Sequence, residues 1–358
     1  MKTAKSKTKN IVYVINQFYM HGGIQRMISH KIDAWIDNFG YKVTVITLNQ
    51  GDNTIVYPPK NNFKLIDLGV EDANKHKLKD LFVFTSRLKK ILNQEEPDLV
   101  ITSLTGIPSL IVPLIKPQIK KALEIHSSGA LSVTNSWKYK WIFLNCYHKV
   151  VLLNEDEKQY YKLSNLTVIP NFITSEPHKD MTYENRKPTI LAAGRIHPDK
   201  QYDHLIKIWE LVYKEHPDWS LEVYGDGDAK LLNQYQEYIT QTQLERIVFK
   251  PATQKLEEVM KGASLFVLTS DTECFPMVLI ECKKSILPVI SYDSPNGPRH
   301  IISNDGILVE HNNIKNFASE LSNLIKNEEL RKQLANNAYV NQIKFSSVEV
   351  IKKWNELL

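Results

Sequence analysis

Short apolar runs alternate with amphipathic stretches along this chain, and the pattern is played out twice, which leaves few architectures open. Strand-like runs fall at Ile11–Ile15, Val43–Leu48, Phe63–Leu68, Leu99–Thr102, Ala122–Ile125 and Lys149–Leu153. A second series reads Thr167–Ile169, Ile190–Ala193, Ser220–Val223, Ile247–Phe249, Leu265–Leu268 and Val289–Ser291. Strands separated by helical patterns are the mark of stacked βα arrays, so the fold class is α/β with parallel sheets. The run Ala263–Thr269 is apolar without a break, as a strand buried on both faces requires. At 358 residues the chain is long enough for two domains with separate cores. A polar stretch bracketed by Pro170 and Pro188 reads as the hinge. The expected division is therefore a first domain over 1–170, a linker over 171–188, a second domain over 189–341, and a terminal segment over 342–358 whose helix covers Ser347–Leu358. Low-complexity segments and short-period repeats are absent.

Composition narrows the function classes. Hydrophobic residues make up 42% and charged residues 24%, the proportions of an ordinary soluble protein. No apolar run approaches the roughly 18 residues that span a bilayer, and the basic start Met1–Lys9 leads into a run too short for a signal peptide. A cytoplasmic protein is expected. Cys146, Cys274 and Cys282 have neither metal-ligand spacing nor an even count, and read as reduced thiols. Charge is uneven: residues 1–150 hold 21 Lys and Arg against 11 Asp and Glu, a net +10, and the remainder holds 24 against 29, a net −5. The cations cluster at Lys75–Lys79, Arg87–Lys90 and Lys116–Lys121, among Leu81, Phe82, Phe84, Leu88, Ile91 and Leu92. Such a mixture suits an anionic lipid surface, where each Lys or Arg contributes about 1 kcal/mol. It equally describes a solvated helix face whose apolar residues point to the core. Nucleic acid fits poorly, because no binding module or aromatic stacking platform accompanies the charge.

Two segments carry chemistry. In Ser270–Glu281, two carboxylates, Glu273 and Glu281, stand eight residues apart around an expected helix start. Pro276 suits the first helical turn, where its missing N–H is harmless and neighbouring free amides can face an anion such as a diphosphate. Glu281 falls about one and a half turns in, so the two acids cannot stack on one helical face but can grip two parts of an extended ligand. The plainer reading is a capping acid and a solvated helix glutamate. Upstream, the strand Ile190–Ala193 runs into Gly194-Arg195 and then Lys200. Two cations beyond the carboxyl end of a parallel strand suit a diphosphate, Arg as a planar fork and Lys as a point charge. The plainer reading pairs them with Asp199 or Asp203.

Together these segments resemble the retaining glycosyltransferases of family 4, over nearly the whole chain and most strongly from Pro188 to Val309. The family's Gly-Arg-x4-Lys element matches Gly194, Arg195 and Lys200, and its Glu-x7-Glu element matches Glu273 and Glu281. Leu287–Ile302 and Asn304–Val309 resemble the strand, loop and helix that follow, Gly22-Gly23 the first glycine loop, and His126 the histidine that ends a central strand of the first domain. Cys274 stands where the family usually has Gly, and His300 where Glu is common. The resemblance implies the GT-B fold, two Rossmann-like domains whose parallel sheets face across a cleft. The first domain would bind acceptor and the second the nucleotide sugar, with the last helix crossing back to the first.

It also implies residue roles. Arg195 and Lys200 would neutralise the donor diphosphate as leaving group, the task a metal performs in other transferases. Glu281 would bind the ribose hydroxyls. Glu273 and the run Cys274, Phe275, Pro276, Met277 and Val278 would hold the donor and its transferred sugar. Gly22, Gly23 and Gly194 would let backbone approach the donor, and His126 would contact the sugar or the acceptor. Retention would proceed either by front-face attack, with the leaving phosphate taking the acceptor proton, or through a covalent intermediate on a protein nucleophile. The resemblance favours the front-face route, and no carboxylate declares itself as the nucleophile of the other. No cofactor and no metal are expected. The Tyr292–Arg299 loop resembles members that use UDP-hexoses or UDP-N-acetylhexosamines to build surface polysaccharides on lipid carriers. UDP is thus the first expectation and GDP the second, with a glycan or polyprenyl-diphosphate-linked acceptor and peripheral contact with the inner membrane face.

Three rival readings remain. Asp226-Gly-Asp228 imitates an Asp-x-Asp manganese motif, and Gly225-x-Gly227 begins a dinucleotide fingerprint that lacks its third glycine, replaced by Lys230. A catalytically silent subunit or sugar-binding protein is the third.

Overall fold

The computed structural model describes residues 8–20, 22–70, 78–129, 140–173 and 182–358. Met1–Lys7, Lys75 and Lys77 of the first basic cluster, and 174–181 of the proline-bracketed stretch lie outside the described residues. The chain divides into two compact units, Met1–Thr174 with Ser346–Leu358, and Ser175–Phe345.

In the first unit, β1 (Asn10–Ile15), β2 (Lys42–Thr47), β3 (Lys64–Asp67), β4 (Leu99–Thr102), β5 (Lys120–Glu124), β6 (Lys149–Leu152) and β7 (Leu166–Val168) form a parallel sheet ordered β3-β2-β1-β4-β5-β6-β7. Its centre is buried on both faces: Ile11 to Ile15 and all of β4 are shielded, while the edge strand β3 exposes Lys64 and Leu65. Apolar residues thus concentrate where helices cover both sides, and the short polar edge discourages further pairing. One assignment is corrected. The run at Thr167–Ile169 does not open the second series; Thr167 pairs with Val151, which makes β7 the edge of the first sheet. Nothing inside a three-residue strand records which sheet it joins.

The second unit holds β8 (Lys187–Ala193), β9 (Ser220–Tyr224), β10 (Ile247–Lys250), β11 (Ala263–Leu268), β12 (Val289–Tyr292) and β13 (Gly306–Val309), again parallel, in the order β10-β9-β8-β11-β12-β13. Every residue of β11 is buried. β13 is absent from the apolar runs read in the sequence because it opens on Gly306 and is only half-buried. It is identified by its register, Val289 opposite Gly306 and Tyr292 opposite Val309.

The first unit recruits the end of the chain. Helix Gly23–Phe39 stops at Gly40, whose φ of 63° lets its N–H reach the Ile36 carbonyl at 2.9 Å. Against this helix lies Ser347–Asn355, with Trp354 fully buried and edge-on to Trp35 at 6.2 Å between ring centroids. Replacing a buried Trp by Ala removes both transfer energy and packing. Trp354→Ala should therefore lower stability by about 3–5 kcal/mol in urea unfolding of the full chain, and a loss below about 1 kcal/mol would contradict this anchoring.

Candidate functional site

The order of the second sheet creates its own crevice. β8 lies between β9 and β11, so the chain leaves it toward one side first and returns on the other, and the loops after β8 and β11 diverge at that switch point. Ligands of open parallel sheets bind at this place, outside the carboxyl ends of the strands.

After β8 come Gly194 and Arg195, then a 3-10 turn, Pro198–Lys200, and Gln201, whose φ of 46° redirects the chain into helix Tyr202–Val212. This turn is fastened to the loop after β11. The Thr269 hydroxyl donates to the Lys200 carbonyl at 3.0 Å, and the Asp271 N–H donates to the Asp199 carbonyl at 2.7 Å. Lys200 Nζ thereby comes 2.5 Å from Glu273 Oε1, with the two side chains 21% and 13% exposed. Lys200 is therefore not the surface partner of Asp199, which pairs with His197 at 3.0 Å. Arg195 is exposed and has no ion-pair partner among the described residues. Burial, then the charge of Glu273, pushes the Tyr202 hydroxyl far up its titration range, so it stays protonated beside Gly194.

The loop carrying Glu273 is fixed from the other side by Asn296, through a pair of backbone hydrogen bonds: the Glu273 N–H to the Pro295 carbonyl and the Asn296 N–H to the Glu273 carbonyl, each 3.0 Å. Gly297 makes this approach possible, since a Cβ there would stand 2.7 Å from the Glu273 carbonyl oxygen and 2.8 Å from Pro276 Cδ. Cys274 has no left-handed backbone angle, so its loop accepts a side chain where the resembling family has Gly. Cys274 and Phe275 are both 7% exposed, and Phe275 packs on Phe345 at 5.9 Å between ring centroids. A ligand would meet these two mainly through their backbone.

Pro276 caps the helix Met277–Lys284 rather than forming its first residue, and its carbonyl accepts the Leu279 N–H at 3.0 Å. The amides of Met277 and Val278 precede the first helical hydrogen bond. Glu281 follows about one turn later, half-buried. The far end of this helix is pinned: Lys283 makes a buried ion pair with Asp305, and Lys284 reaches Glu257 at 2.5 Å. Arg299, downstream, is held bidentately by Asp293 at 2.8 and 2.9 Å.

Two glycines beyond the site set its shape. A Cβ on Gly225 would lie 1.8 Å from the Gly194 carbonyl oxygen, and one on Gly227 2.3 Å from that of Ile196. The Gly225–Asp228 loop thus packs backbone to backbone against Gly194–Ile196, with the Ile196 and Asp228 N–H groups each donating at 2.9 Å. Both aspartates of the Asp-x-Asp look-alike have local partners. Asp226 accepts from the Ala252 N–H at 3.1 Å, and Asp228 caps helix Ala229–Gln241 through Lys230 and Leu231.

The first unit holds the remaining residues. Gly22 caps helix Gly23–Phe39 and its carbonyl accepts the Arg26 N–H at 3.3 Å. His126 follows β5, and its Nε2 lies 3.3 Å from Glu124 Oε2 and 3.4 Å from the Ser103 hydroxyl at the end of β4. Glu124 also pairs with Lys31 and accepts from the Tyr13 hydroxyl. Burial raises the Glu124 carboxyl, but Lys31 and His126 outweigh it and hold the group below the usual carboxylate range. Glu124, Lys31 and Tyr13 escape notice in the sequence. The available sign was the two-residue spacing of Glu124 and His126, which puts both side chains on one face of an extended chain.

The basic clusters divide. Phe84, Leu88 and Leu92 of helix Leu78–Glu95 are buried, as a core-facing stripe requires, while Phe82 is 76% exposed. Lys121 is buried, donates to the Lys116 and Ile119 carbonyls at 2.7 and 2.9 Å, and has its ammonium lowered by burial to about 8.

Gly225→Ala drives a methyl into backbone, which cannot yield as a side chain does. Stability should fall by about 3 kcal/mol or more in denaturant unfolding, and an unchanged midpoint would contradict the close approach of the two loops.

Residues 175–341 match the family model described as glycosyl transferases group 1. The amylovoran biosynthesis glycosyltransferase AmsD of Erwinia amylovora is 29% identical over 97% of this chain and 99% of its own length. Among solved structures, Staphylococcus aureus TarM superposes with a TM-score of 0.81 at 17% identity, covering 98% of this chain and 99% of that one. Anabaena HepE in complex with UDP-glucose gives a TM-score of 0.74 at 15% identity over 97% and 98% of the two chains. The two parallel-sheet units have the GT-B fold of these structures, and the match to the group 1 glycosyl transferase model falls in the second.

Proposed function

We propose that this chain is a retaining, metal-independent glycosyltransferase that moves a hexose or N-acetylhexosamine from a UDP-sugar to a glycan or polyprenyl-diphosphate-linked glycan during cell-surface polysaccharide synthesis. The observation that carries this reading is the convergence of Arg195, Lys200, Glu273 and the Glu281 helix at the β8/β11 switch point, where Lys200 and Glu273 meet at 2.5 Å.

Lys200 and the unpaired Arg195 supply the positive charge that a departing UDP requires, and the Met277 and Val278 amides add partial charge at a helix start. Glu281 accepts hydrogen bonds from the ribose. Glu273, fixed by Lys200 and by the Asn296 backbone, holds the transferred sugar together with the backbone of Cys274, Phe275 and Pro276. From the first unit, Gly22 and Gly23 admit the donor and His126 contacts a sugar hydroxyl. The acceptor hydroxyl attacks the anomeric carbon from the side of the leaving group; its proton passes to the departing phosphate oxygen as the glycosidic bond forms. Support for UDP comes from the TarM and HepE structures that contain it. Support for a surface-polysaccharide acceptor comes from the amylovoran relative. The net +10 over residues 1–150 favours an anionic acceptor or an anionic membrane face, and cosedimentation with anionic but not neutral vesicles at moderate salt is the expected result for the latter.

Purified chain should bind one class among UDP-, GDP- and ADP-sugars in the presence of EDTA, with UDP preferred. Lys200→Ala and Glu281→Ala should each lower kcat/KM by about 100- to 1,000-fold while leaving the melting temperature near that of the parent. Turnover within threefold of the parent in either variant would overturn the site. Abolition by EDTA would overturn metal independence. Donor binding without transfer or hydrolysis would favour a silent sugar-binding subunit.

A further inference from the structure

Beneath His126 lies a charged cluster sealed from solvent. Lys31 and Glu124 have side chains 1% and 0% exposed, and Tyr13 is likewise buried. Removing two charges from water costs several kcal/mol per ion, and a well-packed apolar pair can serve stability equally well, so an ion pair at this depth calls for another role. Its geometry indicates one. Glu124 gives Oε1 to Lys31, while Oε2 faces both the Tyr13 hydroxyl and His126 Nε2, the latter at 3.3 Å. Lys31 is itself held 4.4 Å over the ring of Trp354, and it projects from the helix that begins at Gly23. The loop beyond His126 is equally fixed: Glu157 accepts from the Ser128 hydroxyl at 2.9 Å and the Gly129 N–H at 2.6 Å.

An ionised carboxylate only accepts, so an imidazole nitrogen facing it must carry the proton; a ring turned over would place Cε1–H against the charge instead. In the neutral ring, unlike the imidazolium, the lone pair then resides on Nδ1. We propose that Glu124, clamped by Lys31 and Tyr13, is a positioning residue that fixes His126 as the Nε2–H tautomer and so presents Nδ1 as a hydrogen-bond acceptor for a sugar hydroxyl. This rests on the reading of His126 as a sugar contact. Glu124 touches no substrate; it acts through the imidazole, as buried carboxylates do when they set the orientation of a histidine.

The test uses the full chain. In Glu124→Gln, Lys31 claims the amide oxygen, the amide NH2 group meets Nε2, and the imidazole proton should move to Nδ1. Imidazole 15N shifts, with the His126 signal assigned by its loss in His126→Asn, should show the Nε2–H form in the parent and its reversal in Glu124→Gln. Turnover should fall about 10- to 100-fold in Glu124→Gln, but less than about twofold when the change is made in a His126→Ala background. If the unpaired Lys31 unfolds the single variant, Glu124→Gln with Lys31→Met removes both charges, and the bias toward Nε2–H should be lost in a folded protein. An Nδ1–H tautomer in the parent, or an undiminished effect of Glu124→Gln without His126, would overturn the proposal alone. Full activity in His126→Ala would overturn the sugar contact and the proposal with it.

Discussion

The parallel pairing of β8 with β11 is the constraint from which the second unit's chemistry follows. Because the first strand of the unit sits in the interior of the sheet, the loop after it must share its crevice with a loop that the chain reaches much later. Lys200 and Glu273 are 73 positions apart and still make a 2.5 Å contact. Close packing of backbone makes the junction narrow. Gly225 and Gly227 let one loop press on Gly194–Ile196, and Gly297 lets another press on Glu273–Pro276. The first unit repeats the scheme, with β1 between β2 and β4, and with Gly22 and Ser103 following the two strands at its switch point.

Ion pairs in the two units fall into two kinds. Lys200–Glu273 is partly exposed and can exchange partners when a charged ligand arrives, so its own contribution to stability is small. Lys31–Glu124 and Lys283–Asp305 are sealed, and losing one partner would strand a buried charge at a cost of about 3–5 kcal/mol. Each sealed pair stands two residues from a candidate ligand contact, Glu124 before His126 and Lys283 after Glu281. The exchangeable charges therefore rest on a framework of fixed ones. That is the arrangement expected where a diphosphate must be met by cations already in place rather than by side chains recruited from solvent.

Much of this could be read from residue order. Unbroken apolar runs such as Leu99–Thr102 and Ala263–Leu268 mark central strands because both faces are covered, and Gly194, Arg195, Lys200, Glu273 and Glu281 are visible as a spacing. Pairing partners were not visible. β7 and β13 are short and half-buried, so hydrogen-bond register, not hydropathy, assigns them to their sheets. Lys200 has Asp199 and Asp203 as its sequence neighbours, yet its partner lies on another loop. Lys31 looks like a solvated helix lysine until Glu124 and Trp354 are seen to enclose it. Gly297 reads as an ordinary turn residue because the atoms that exclude a side chain there belong to a distant segment.

The central claim is that the β8/β11 crevice is where a nucleotide sugar binds. Hydrogen exchange of the full chain, followed by mass spectrometry with and without saturating UDP in EDTA, tests it directly. Protection should concentrate at Gly194–Lys200 and Glu273–Glu281 and vanish in Lys200→Ala. Tight UDP binding that leaves both segments unprotected, or that protects them equally in Lys200→Ala, would contradict it.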